Sequence, residues 1–535
     1  MVPSPLMSAG PRSIGILGGG TAGYFAALAI KRRFPRFAVT VVESSAHPII
    51  GVGEGTTTLM PPFLHGQLGL SIEELFRAVG PTLKLGIRFE WGLPGEHRFN
   101  YPFGDAEPCA ARFFDGDLRS QSLISMLMSE GRGPVVRGPE GQLLSLLTRL
   151  KFAYHLDNAP FVAFLAKAAV DAGIEHLDLT VEEVVRAGDG SVRELRGASG
   201  RTLSCDFYVD ASGFRSELLG KAFGVGFESY ASSLPCDRAV VATAPQGEAI
   251  DPHTTTSTMA AGWAWRIPMR GIDHCGYVFD SDHLSDDAAF AELRAHAPGA
   301  RASRVIRYRS GRHRRFWASN VAAVGNAYGF VEPLQATALH MVIIELAYLL
   351  AGLETLGDPA AQAGFVDSAN EAVGAHWDYL RWFLAAHYKF NRRCNTPFWA
   401  RARADVDVSG LDPFLASLSS YGAGGGRQRR FAAGDPAFGP SGMMTVLLGQ
   451  RVDADFPTHG AFTPQGWAER VAKDRRVLSH ALPHREVLAL LDEQPAMLRR
   501  FVDHPSSWCG ADRVHVERSG GASLVVGPHG GALPR

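Results

Sequence analysis

The chain has 535 residues and a formal net charge of −1 at pH 7, with 53 lysines and arginines against 54 aspartates and glutamates. This balance provides no positive field for nucleic acid or an anionic membrane surface, so we expect neither as a partner. No apolar run has the length of a membrane span, residues 1–12 lack a signal-like apolar core, and the six cysteines are scattered without metal-ligand spacing. We therefore expect a cytoplasmic protein with reduced thiols and no bound metal.

The first predicted elements are a strand at 14–17, a helix at 24–33 and a second strand that ends at Glu43. Between the first strand and the helix, the residues fit the pattern G-x-G-x-x-G: Gly18, Gly19, Gly20, Thr21, Ala22 and Gly23. Glycines at this spacing allow a tight turn beside a pyrophosphate, and the helix N-terminus offers free N–H groups. A carboxylate about 20 residues further on can bind a ribose hydroxyl. We therefore predict a dinucleotide site, since an ordinary glycine-rich turn would not need the acid.

The remaining elements alternate without a repeat or a linker, so we expect one interleaved unit. We predict helices over 71–79, 158–172 and 358–390, a long helix after Pro333, a strand over 85–91, short strands between 175 and 210, and a β-rich region over 235–280. We predict loop over 94–108, a flexible glycine tract at 422–426, and a tail over 519–535 that frays apart from a short strand at 524–526.

Two later strands end in turns that suit a cofactor. The strand at 207–210 ends in Asp210, whose carboxylate either binds a cofactor hydroxyl or caps its own turn. The strand at 321–324 ends at Gly325 and Asn326, and Pro333 then fits the first turn of a helix whose N–H groups would face a flavin or an anion. Together with the first glycine motif, these elements favour FAD over NAD, because contacts from three distant segments suit a cofactor buried along its length.

A tryptophan-rich motif, W-x-W-x-I-P at 263–268, is the most specific in the chain, because these residues rarely coincide at that spacing. It occurs with further motifs: 18–23, Val52-Gly53-Glu54, Lys84 within 83–89, Tyr101-Pro102-Phe103-Gly104, 154–157, 210–216, 325–327, 387–393 and 448–450. In these motifs, from Ser13 to about Pro457, the chain resembles the flavin-dependent halogenases of the tryptophan-halogenase type.

This resemblance implies an α/β fold: an FAD-binding, Rossmann-type (GR2-like) flavoprotein monooxygenase fold with an appended, mostly helical substrate module. It implies a single catalytic unit over 13–455, with an FAD module of about 13–60, 145–240 and 255–350, a substrate module of about 61–145 and 351–515, and a tail at 516–535. It also implies a separate flavin reductase that supplies FADH2. Oxygen and chloride or bromide then yield hypohalous acid, which reaches a lysine beside an aromatic substrate through a tunnel.

The resemblance also assigns roles to residues. Lys84 receives the oxidant, with Glu332 and Gln335 as further catalytic residues. The other assignments are Gly53 for the cofactor, Thr337 and Ala338 for the halide, and Trp263, Trp265, Ile267, Pro268, Tyr101 and Phe103 for the tunnel and the substrate. The two tryptophans would wall the flavin from the substrate, which favours halogenation over direct oxygen transfer.

The residue pattern around Lys84 gives a different prediction from the resemblance. In a strand, Lys84 shares a face with Thr82, Gly86 and Arg88, while the apolar residues of 83–89 share the other face. Periodicity alone therefore predicts an exposed Lys84. If the lysine lines a desolvated pocket instead, its pKa should fall.

Two positions depart from the family pattern. Gln335 stands where tryptophan halogenases carry a second glutamate, and an amide cannot act as a base. Either Glu332 or Glu90 replaces that carboxylate, or the chemistry differs. Tyr101 stands where tryptophan-specific members carry histidine, and nothing after about residue 455 matches the groups that hold free tryptophan. A larger indole, a phenol or pyrrole, or a peptide-borne tryptophan is therefore favoured as the substrate.

Three hypotheses follow. The first is a halogenase of an electron-rich aromatic compound, an indole or tryptophan-containing molecule. The second, motivated by Gln335, is a flavin-dependent monooxygenase or oxidase on the same scaffold that acts on a peptide- or protein-borne aromatic side chain. The third is a non-catalytic flavin-binding maturation partner. The sequence leaves a homodimer open.

Overall fold

The computed structural model describes residues 13–46, 53–93, 98–198, 200–418, 438–452, 462–504, 507–511, 514–518 and 524–528. The strands are β1 Ser13–Leu17, β2 Ala38–Glu43, β3 Glu54–Gly55, β4 Thr82–Lys84, β5 Gly86–Glu90, β6 Phe99–Pro102, β7 Arg132–Arg137, β8 Leu143–Ser145, β9 Ala153–Leu156, β10 Glu175–Asp178, β11 Val181–Arg186, β12 Val192–Gly197, β13 Thr202–Leu203, β14 Phe207–Asp210, β15 Phe227–Ser229, β16 Arg238–Pro245, β17 Thr254–Met259, β18 Gly262–Pro268, β19 Ile272–Phe279, β20 Arg301–Arg307, β21 Gly311–His313, β22 Trp317–Ala318, β23 Val321–Ala323, β24 Gly329–Phe330, β25 Ala481–Pro483, β26 Val514–Arg518 and β27 Leu524–Pro528. The α-helices are α1 Thr21–Arg33, α2 Ile72–Val79, α3 Pro108–Asp115, α4 Leu123–Ser129, α5 Asn158–Asp171, α6 Asp286–His296, α7 Thr337–Leu353, α8 Pro359–Phe390, α9 Pro397–Asp405, α10 Asp412–Leu418, α11 Pro440–Gly449, α12 Pro464–Ser479, α13 His484–Glu493, α14 Arg499–Asp503 and α15 Trp508–Ala511.

A mostly parallel sheet carries the N-terminal βαβ unit, which confirms that prediction. Its described strands lie in the order β10-β2-β1-β14-β23-β22, and only β22 runs antiparallel to its neighbour. The carboxyl ends of β1, β14 and β23 therefore share one edge of the sheet. The turns that follow Leu17, Asp210 and Ala323 meet there, which is where ligands bind in open α/β sheets.

A second sheet carries the tryptophan motif. The described strands lie in the order β20-β16-β19-β18-β17-β5-β6, and β17 with β5 is the parallel pair. Strands β16 to β19 confirm the predicted β-rich region. A smaller sheet, β3-β9-β4, pairs both Gly55 and Thr82 with His155. Because β5 follows β4 after one residue, the two sheets together hold Lys84.

The helix after Pro333 starts later than the sequence indicates. The N–H of Ala336 donates to the carbonyl of Pro333 at 3.0 Å, and Ala336 has a left-handed φ of 57°. This turn places Pro333 outside the helix, and α7 begins at Thr337. The prediction that Pro333 forms the helix's first turn is therefore wrong.

Other predicted segments have mixed outcomes. Strand β6 lies inside 94–108, so the prediction of a loop is wrong for 99–102. Asn100 is buried as fully as its apolar neighbours in that strand, so the sequence shows no alternation that would indicate a strand. Strand β27 confirms the strand at 524–526 and pairs with β26. The tract at 422–426, Val52 and most of the tail lie outside the described residues. Among the described residues, no helix combines the length and apolar character needed to cross a membrane.

Candidate active site

A cavity of about 710 Å³ extends from the carboxyl edge of the parallel sheet to the tryptophan-bearing sheet. It brings together predicted residues that are far apart in the chain: Gly18, Gly20, Thr21, Ala22, Glu43, Gly53, Lys84, Trp263, Trp265, Ile267, Gly325, Asn326, Pro333 and Ala338. Its lining does not include the other predicted residues, namely Gly23, Asp210, Pro268, Tyr101, Phe103, Glu332, Gln335 and Thr337.

The glycines of the first turn serve different purposes. A Cβ on Gly18, whose φ is +127°, would lie 2.2 Å from the carbonyl oxygen of Ala211, and a Cβ on Gly23 would lie 1.8 Å from that of Gly18. These two glycines permit close packing of backbone against backbone. A Cβ on Gly20 would meet no atom of the described part of the chain within 4 Å, and Gly20 begins α1 without a side-chain cap. The first turn of α1 is thus open to the cavity, as a phosphate group requires.

Glu43 lies directly above this turn. A Cβ on Gly19 would come within 1.9 Å of its Oε2. The same oxygen accepts hydrogen bonds from the hydroxyl of Tyr24 at 3.2 Å and from Nε2 of His176 at 3.1 Å. These contacts hold the carboxylate at the cavity wall, in the place that a ribose hydroxyl would need.

Asp210 is occupied by its own turn. Its Oδ1 accepts from the N–H and hydroxyl of Ser212, and its Oδ2 accepts from the N–H groups of Leu218 and Leu219 at 2.8 Å each. Asp210 is fully buried and does not line the cavity. Of the two alternatives for Asp210, these contacts match the turn cap.

Gly325 is held by a carboxylate that the sequence did not indicate. Its N–H donates to Oε2 of Glu345 at 2.7 Å, and Oε1 of Glu345 accepts from Nε1 of Trp377 at 3.0 Å. Burial raises the pKa of Glu345 to about 8. A single glutamate in the apolar sequence of α7 was the available signal.

Lys84 is fully buried, so the expectation of an exposed side chain is wrong. Alternation separates a polar from an apolar face but does not show what each residue meets, and Lys84 lines the cavity and is not exposed to solvent. Burial lowers the pKa of Lys84 to about 7. Its Nζ has no hydrogen-bond partner among the described residues and lies 5.5 Å from the ring centre of Phe103. The amine therefore stands between the cavity and an aromatic side chain.

Trp263 and Trp265 project from the same face of β18 into the cavity wall. Both are buried, with ring centres 6.0 Å apart. Gly276 on the neighbouring strand leaves room for Trp265, since a Cβ there would lie 2.1 Å from the indole. Pro268 ends the motif outside the lining, and its carbonyl accepts from the hydroxyl of Thr82 at 3.1 Å.

Glu332 supports this wall from behind. Its Oε1 accepts from Nε1 of Trp263 at 3.1 Å, and its two oxygens lie 2.6 and 2.8 Å from the hydroxyl of Tyr388. Burial raises the pKa of Glu332 to about 7. Glu90, the other carboxylate considered, accepts from the hydroxyl of Ser257 at 2.8 Å and does not line the cavity.

Gln335 is oriented by a histidine that sequence reasoning missed. Nδ1 of His387 lies 3.0 Å from the carbonyl of Phe383 and must donate to it, and burial lowers the pKa of His387 to about 4. The neutral ring's Nε2 therefore accepts from the amide Nε2 of Gln335 at 3.0 Å. This bond leaves Oε1 of Gln335 buried and without a partner among the described residues.

The start of α7 forms an open helix N-terminus beside the cavity. Ala336 provides no side-chain cap, Ala338 lines the cavity, and Oγ1 of Thr337 is buried with no partner among the described atoms. Free N–H groups at a helix start suit an anion such as a halide.

Strands β5 and β6, which follow Lys84 in the chain, and helix α8 carry further aromatic rings. Besides Phe103, the ring of Tyr101 lies 6.2 Å from that of Phe383, and the ring of Phe89 lies 5.2 Å from that of His387. All five side chains are buried. We call this group the aromatic chamber.

Comparison with known proteins identifies the family. The family model described as tryptophan halogenase matches residues 13–462. The chain belongs to the tryptophan halogenase family. Tryptophan 6-halogenase ThaL of Streptomyces albogriseolus is 31% identical over 445 residues, covering 77% of this chain and 82% of ThaL. Tryptophan 7-halogenase RebH of Lentzea aerocolonigenes is 30% identical over 440 residues, covering 76% and 81%.

Solved structures agree. MibH, described as a lanthipeptide tryptophan 5-halogenase, has a TM-score of 0.89 and 43% identity, covering 95% of this chain and 98% of MibH. BrvH, a flavin-dependent halogenase from Brevundimonas sp. BAL3, has a TM-score of 0.78 and 32% identity, covering 90% and 99%. This tryptophan halogenase family member is therefore a flavin-dependent enzyme that halogenates an aromatic substrate, and the expected α/β flavoprotein fold is confirmed.

The residues of this halogenase fit a bound flavin. The cavity is lined by an uncapped helix start at Gly20, a carboxylate at Glu43 and an apolar side chain at Trp265. These are the groups that a pyrophosphate, a ribose and a ring system require. Lys84 lines the same cavity, with Phe103 beside its amine.

Proposed function

We propose that this halogenase uses FADH2 from a separate flavin reductase to chlorinate or brominate the indole of a tryptophan held within a peptide. The observation that carries the proposal is the unpartnered, buried amine of Lys84, which lines a flavin-sized cavity and lies 5.5 Å from the ring centre of Phe103. An amine in this place can hold an oxidised halide within reach of an aromatic ring.

Different parts of the cavity would bind different parts of the cofactor and the halide. The open start of α1 would hold the pyrophosphate of FAD, and Glu43 its ribose. The N–H groups at Thr337 and Ala338 would bind the halide beside the ring end. When bound, reduced flavin supplies, with oxygen, the oxidising equivalent that converts halide to hypohalous acid.

Trp263 and Trp265 keep the aromatic substrate away from the flavin, and Glu332 holds Trp263 in this position. Free hypohalous acid is unselective, so a fixed group must present it. In its ammonium form, Lys84 donates a hydrogen bond to the acid and aims it at the aromatic chamber.

Gln335 serves for orientation and not for proton removal. Its amide is held by His387, which directs the free Oε1 away from the histidine. A carbonyl oxygen accepts hydrogen bonds, such as that of an indole N–H, but does not take a proton near neutral pH. The ring proton then leaves to water.

Two observations support a peptide substrate: the similarity to MibH and the departures from the tryptophan-specific sequence pattern. MibH, described as a lanthipeptide tryptophan 5-halogenase, aligns over nearly the whole of both chains. ThaL and RebH, which are named for tryptophan itself, are 31% and 30% identical over 77% and 76% of this chain. Tyr101 and Gln335 are the two positions where the sequence leaves the tryptophan-specific pattern.

A competition assay tests the proposal. The enzyme receives FAD, a flavin reductase, oxygen and bromide, with free L-tryptophan and a set of tryptophan-containing peptides at equal concentration. We expect bromine on peptides, located at tryptophan by fragmentation, and at least about tenfold less on the free amino acid. Bromination of free tryptophan alone would refute the peptide substrate. Lys84→Ala should lose bromination while flavin oxidation continues; full bromination by Lys84→Ala would refute the role of this lysine.

A further inference from the structure

A chain of hydrogen bonds runs behind Lys84. The hydroxyl of Thr82 lies 3.1 Å from the carbonyl of Pro268 and 2.9 Å from Nδ1 of His155. Nε2 of His155 lies 3.0 Å from Oγ1 of Thr254. Thr82 and His155 are completely buried, and Thr254 is 7% exposed. Three strands, β4, β9 and β17, thus contribute to one buried polar row.

The direction of every bond in this row can be assigned. A carbonyl only accepts, so the single proton of the Thr82 hydroxyl goes to Pro268. Nδ1 of His155 must then be the donor to Thr82. Burial lowers the pKa of His155 well below its usual value, and the charge of Lys84 adds to this, so the ring is neutral and carries one proton. Nε2 of His155 is therefore an acceptor, and the hydroxyl of Thr254 donates to it.

This assignment determines what Thr254 presents to the cavity. Its only proton is turned toward His155, so its remaining lone pairs are the free side of the oxygen. Thr254 and Lys84 both line the flavin cavity. Oγ1 of Thr254 and Nζ of Lys84 each lie 3.1 Å from the point that a Cβ on Gly55 would occupy. Since Nζ has no partner among the described residues, the glycine leaves a small space that a donor and an acceptor both face.

We propose that Thr254 is the second residue that binds hypohalous acid. The ammonium of Lys84 donates to the oxygen of the acid, and the O–H of the acid donates to Oγ1 of Thr254. This inference rests on the proposed function of Lys84. His155 is a positioning residue that acts through Thr254. Its Nε2 accepts the hydrogen bond of the Thr254 hydroxyl, whose proton would otherwise point into the space.

The arrangement distinguishes the oxidant from its halide precursor. A halide ion has no hydrogen to donate and is repelled by the lone pairs of Thr254, whereas hypohalous acid satisfies both the donor and the acceptor. The space therefore retains the oxidised species after it has left the halide site at the start of α7. Loss of the acceptor should let the oxidant escape before it reaches the substrate.

Thr254→Val tests this directly, because valine keeps the β-branched shape of threonine in β17 and removes only the hydroxyl. Reduced flavin, oxygen and bromide are supplied with a tryptophan-containing peptide and a chemical trap for free hypohalous acid. We expect flavin oxidation at the wild-type rate, roughly tenfold less brominated peptide per flavin oxidised, and a matching rise in trapped acid. Thr254→Ser should restore the wild-type ratio.

Thr258→Val is the matched control, since its hydroxyl lies on the same strand but donates to the carbonyl of Glu90 at 3.0 Å. It should leave the ratio unchanged. A wild-type ratio in Thr254→Val would overturn the inference. Retained bromination in Lys84→Ala would instead overturn the proposed function, so the two failures are distinguishable.

A second readout needs no turnover. In the ¹⁵N spectrum of the flavin-free protein, His155, assigned by the signal that His155→Gln loses, should show the neutral Nδ1–H tautomer between pH 6 and pH 8. The Nε2–H tautomer would contradict the inference, because Thr254 would then carry a free proton toward the cavity and could not accept from the acid.

Discussion

The indole N–H of Trp263 donates to Oε1 of Glu332 at 3.1 Å, so a buried carboxylate holds one of the two tryptophans that we propose separate flavin from substrate. The hydroxyl of Tyr388 shares the same carboxylate. Each of these donors needs an acceptor, because a buried unsatisfied polar group is costly.

Two replacements of Glu332 should therefore show how much its acceptor oxygens contribute to stability. Glu332→Ala leaves two buried donors without their acceptor and should lower the free energy of unfolding by about 2–5 kcal/mol in urea titration. Glu332→Gln keeps one carbonyl oxygen and should cost less than half as much. Equal losses in the two variants would show that the acceptor is unimportant.

The pH dependence of Glu332 has a definite sign. Burial raises its pKa from the ordinary 4.5 to about 7, so between these values the folded state binds the proton more tightly than the unfolded state. The contribution of Glu332 to stability must fall as pH rises from 4.5 to 7 and level off above. The wild type should thus lose stability relative to Glu332→Gln over this window, as measured by urea midpoints at several pH values.

Lys84 should show the opposite trend. Burial lowers its pKa from 10.5 to about 7, so between these values the unfolded state binds the proton more tightly, and stability rises with pH. Lys84→Met removes a buried ammonium without a hydrogen-bond partner among the described residues. We expect this variant to be more stable than the wild type by several kcal/mol near pH 7, with a difference that shrinks toward pH 10. A less stable Lys84→Met would mean that the amine is not desolvated.

The yield of halogenated product should also follow the ionisation of Lys84. The ammonium that holds hypohalous acid is lost as pH rises through about 7. We expect halogenated product per flavin oxidised to fall over this range in the wild type. A yield that rises with pH would indicate instead that the neutral amine itself takes the halogen.

Gln335→Glu should change His387 as well as the rate. A carboxylate facing Nε2 of His387 has no proton to donate, so the histidine must take one to keep the hydrogen bond. We expect the pKa of His387, now about 4, to rise above 6 in this variant. Bromination should increase if the missing carboxylate limits turnover, measured with saturating bromide and peptide. A histidine that still titrates near 4 would contradict the hydrogen-bond direction assigned here.

Two glycine variants should fail in different ways. A Cβ at Gly20 meets no atom of the described residues within 4 Å, so Gly20→Ala should fold with an unchanged Tm. Its methyl group occupies the space for the pyrophosphate, and FAD affinity should fall by roughly tenfold or more, measured by flavin fluorescence. Gly23→Ala should not yield folded protein, because its Cβ would lie 1.8 Å from the carbonyl oxygen of Gly18. Normal FAD affinity in Gly20→Ala would show that the pyrophosphate does not bind at this turn.

Sequence patterns predict the parts of this molecule that depend on local geometry. The glycine turn and Glu43 are recognisable because a tight turn beside a pyrophosphate needs glycines at fixed positions and the acid follows at a fixed distance. The strand that bears Trp263 is recognisable from its motif. The burial of Lys84 is not, because alternation cannot tell an internal cavity from solvent.

Contacts that depend on the tertiary fold were also out of reach. His387 lies 52 residues from Gln335, and no periodicity relates them. The start of α7 was misplaced because Ala336 adopts a left-handed φ, which sequence rules expect of glycine or asparagine.

Lys84 lies between two sets of paired strands, and this has a consequence for how the substrate preference of the enzyme can change. Strand β4 is paired to β9, and β5, one residue later, is paired to β17 and β6. The backbone that carries Lys84 is thus fixed by strand pairing on both sides. Phe383 of the aromatic chamber belongs instead to helix α8, and we expect selection for new substrates to act on that helix and to leave the surroundings of the lysine intact.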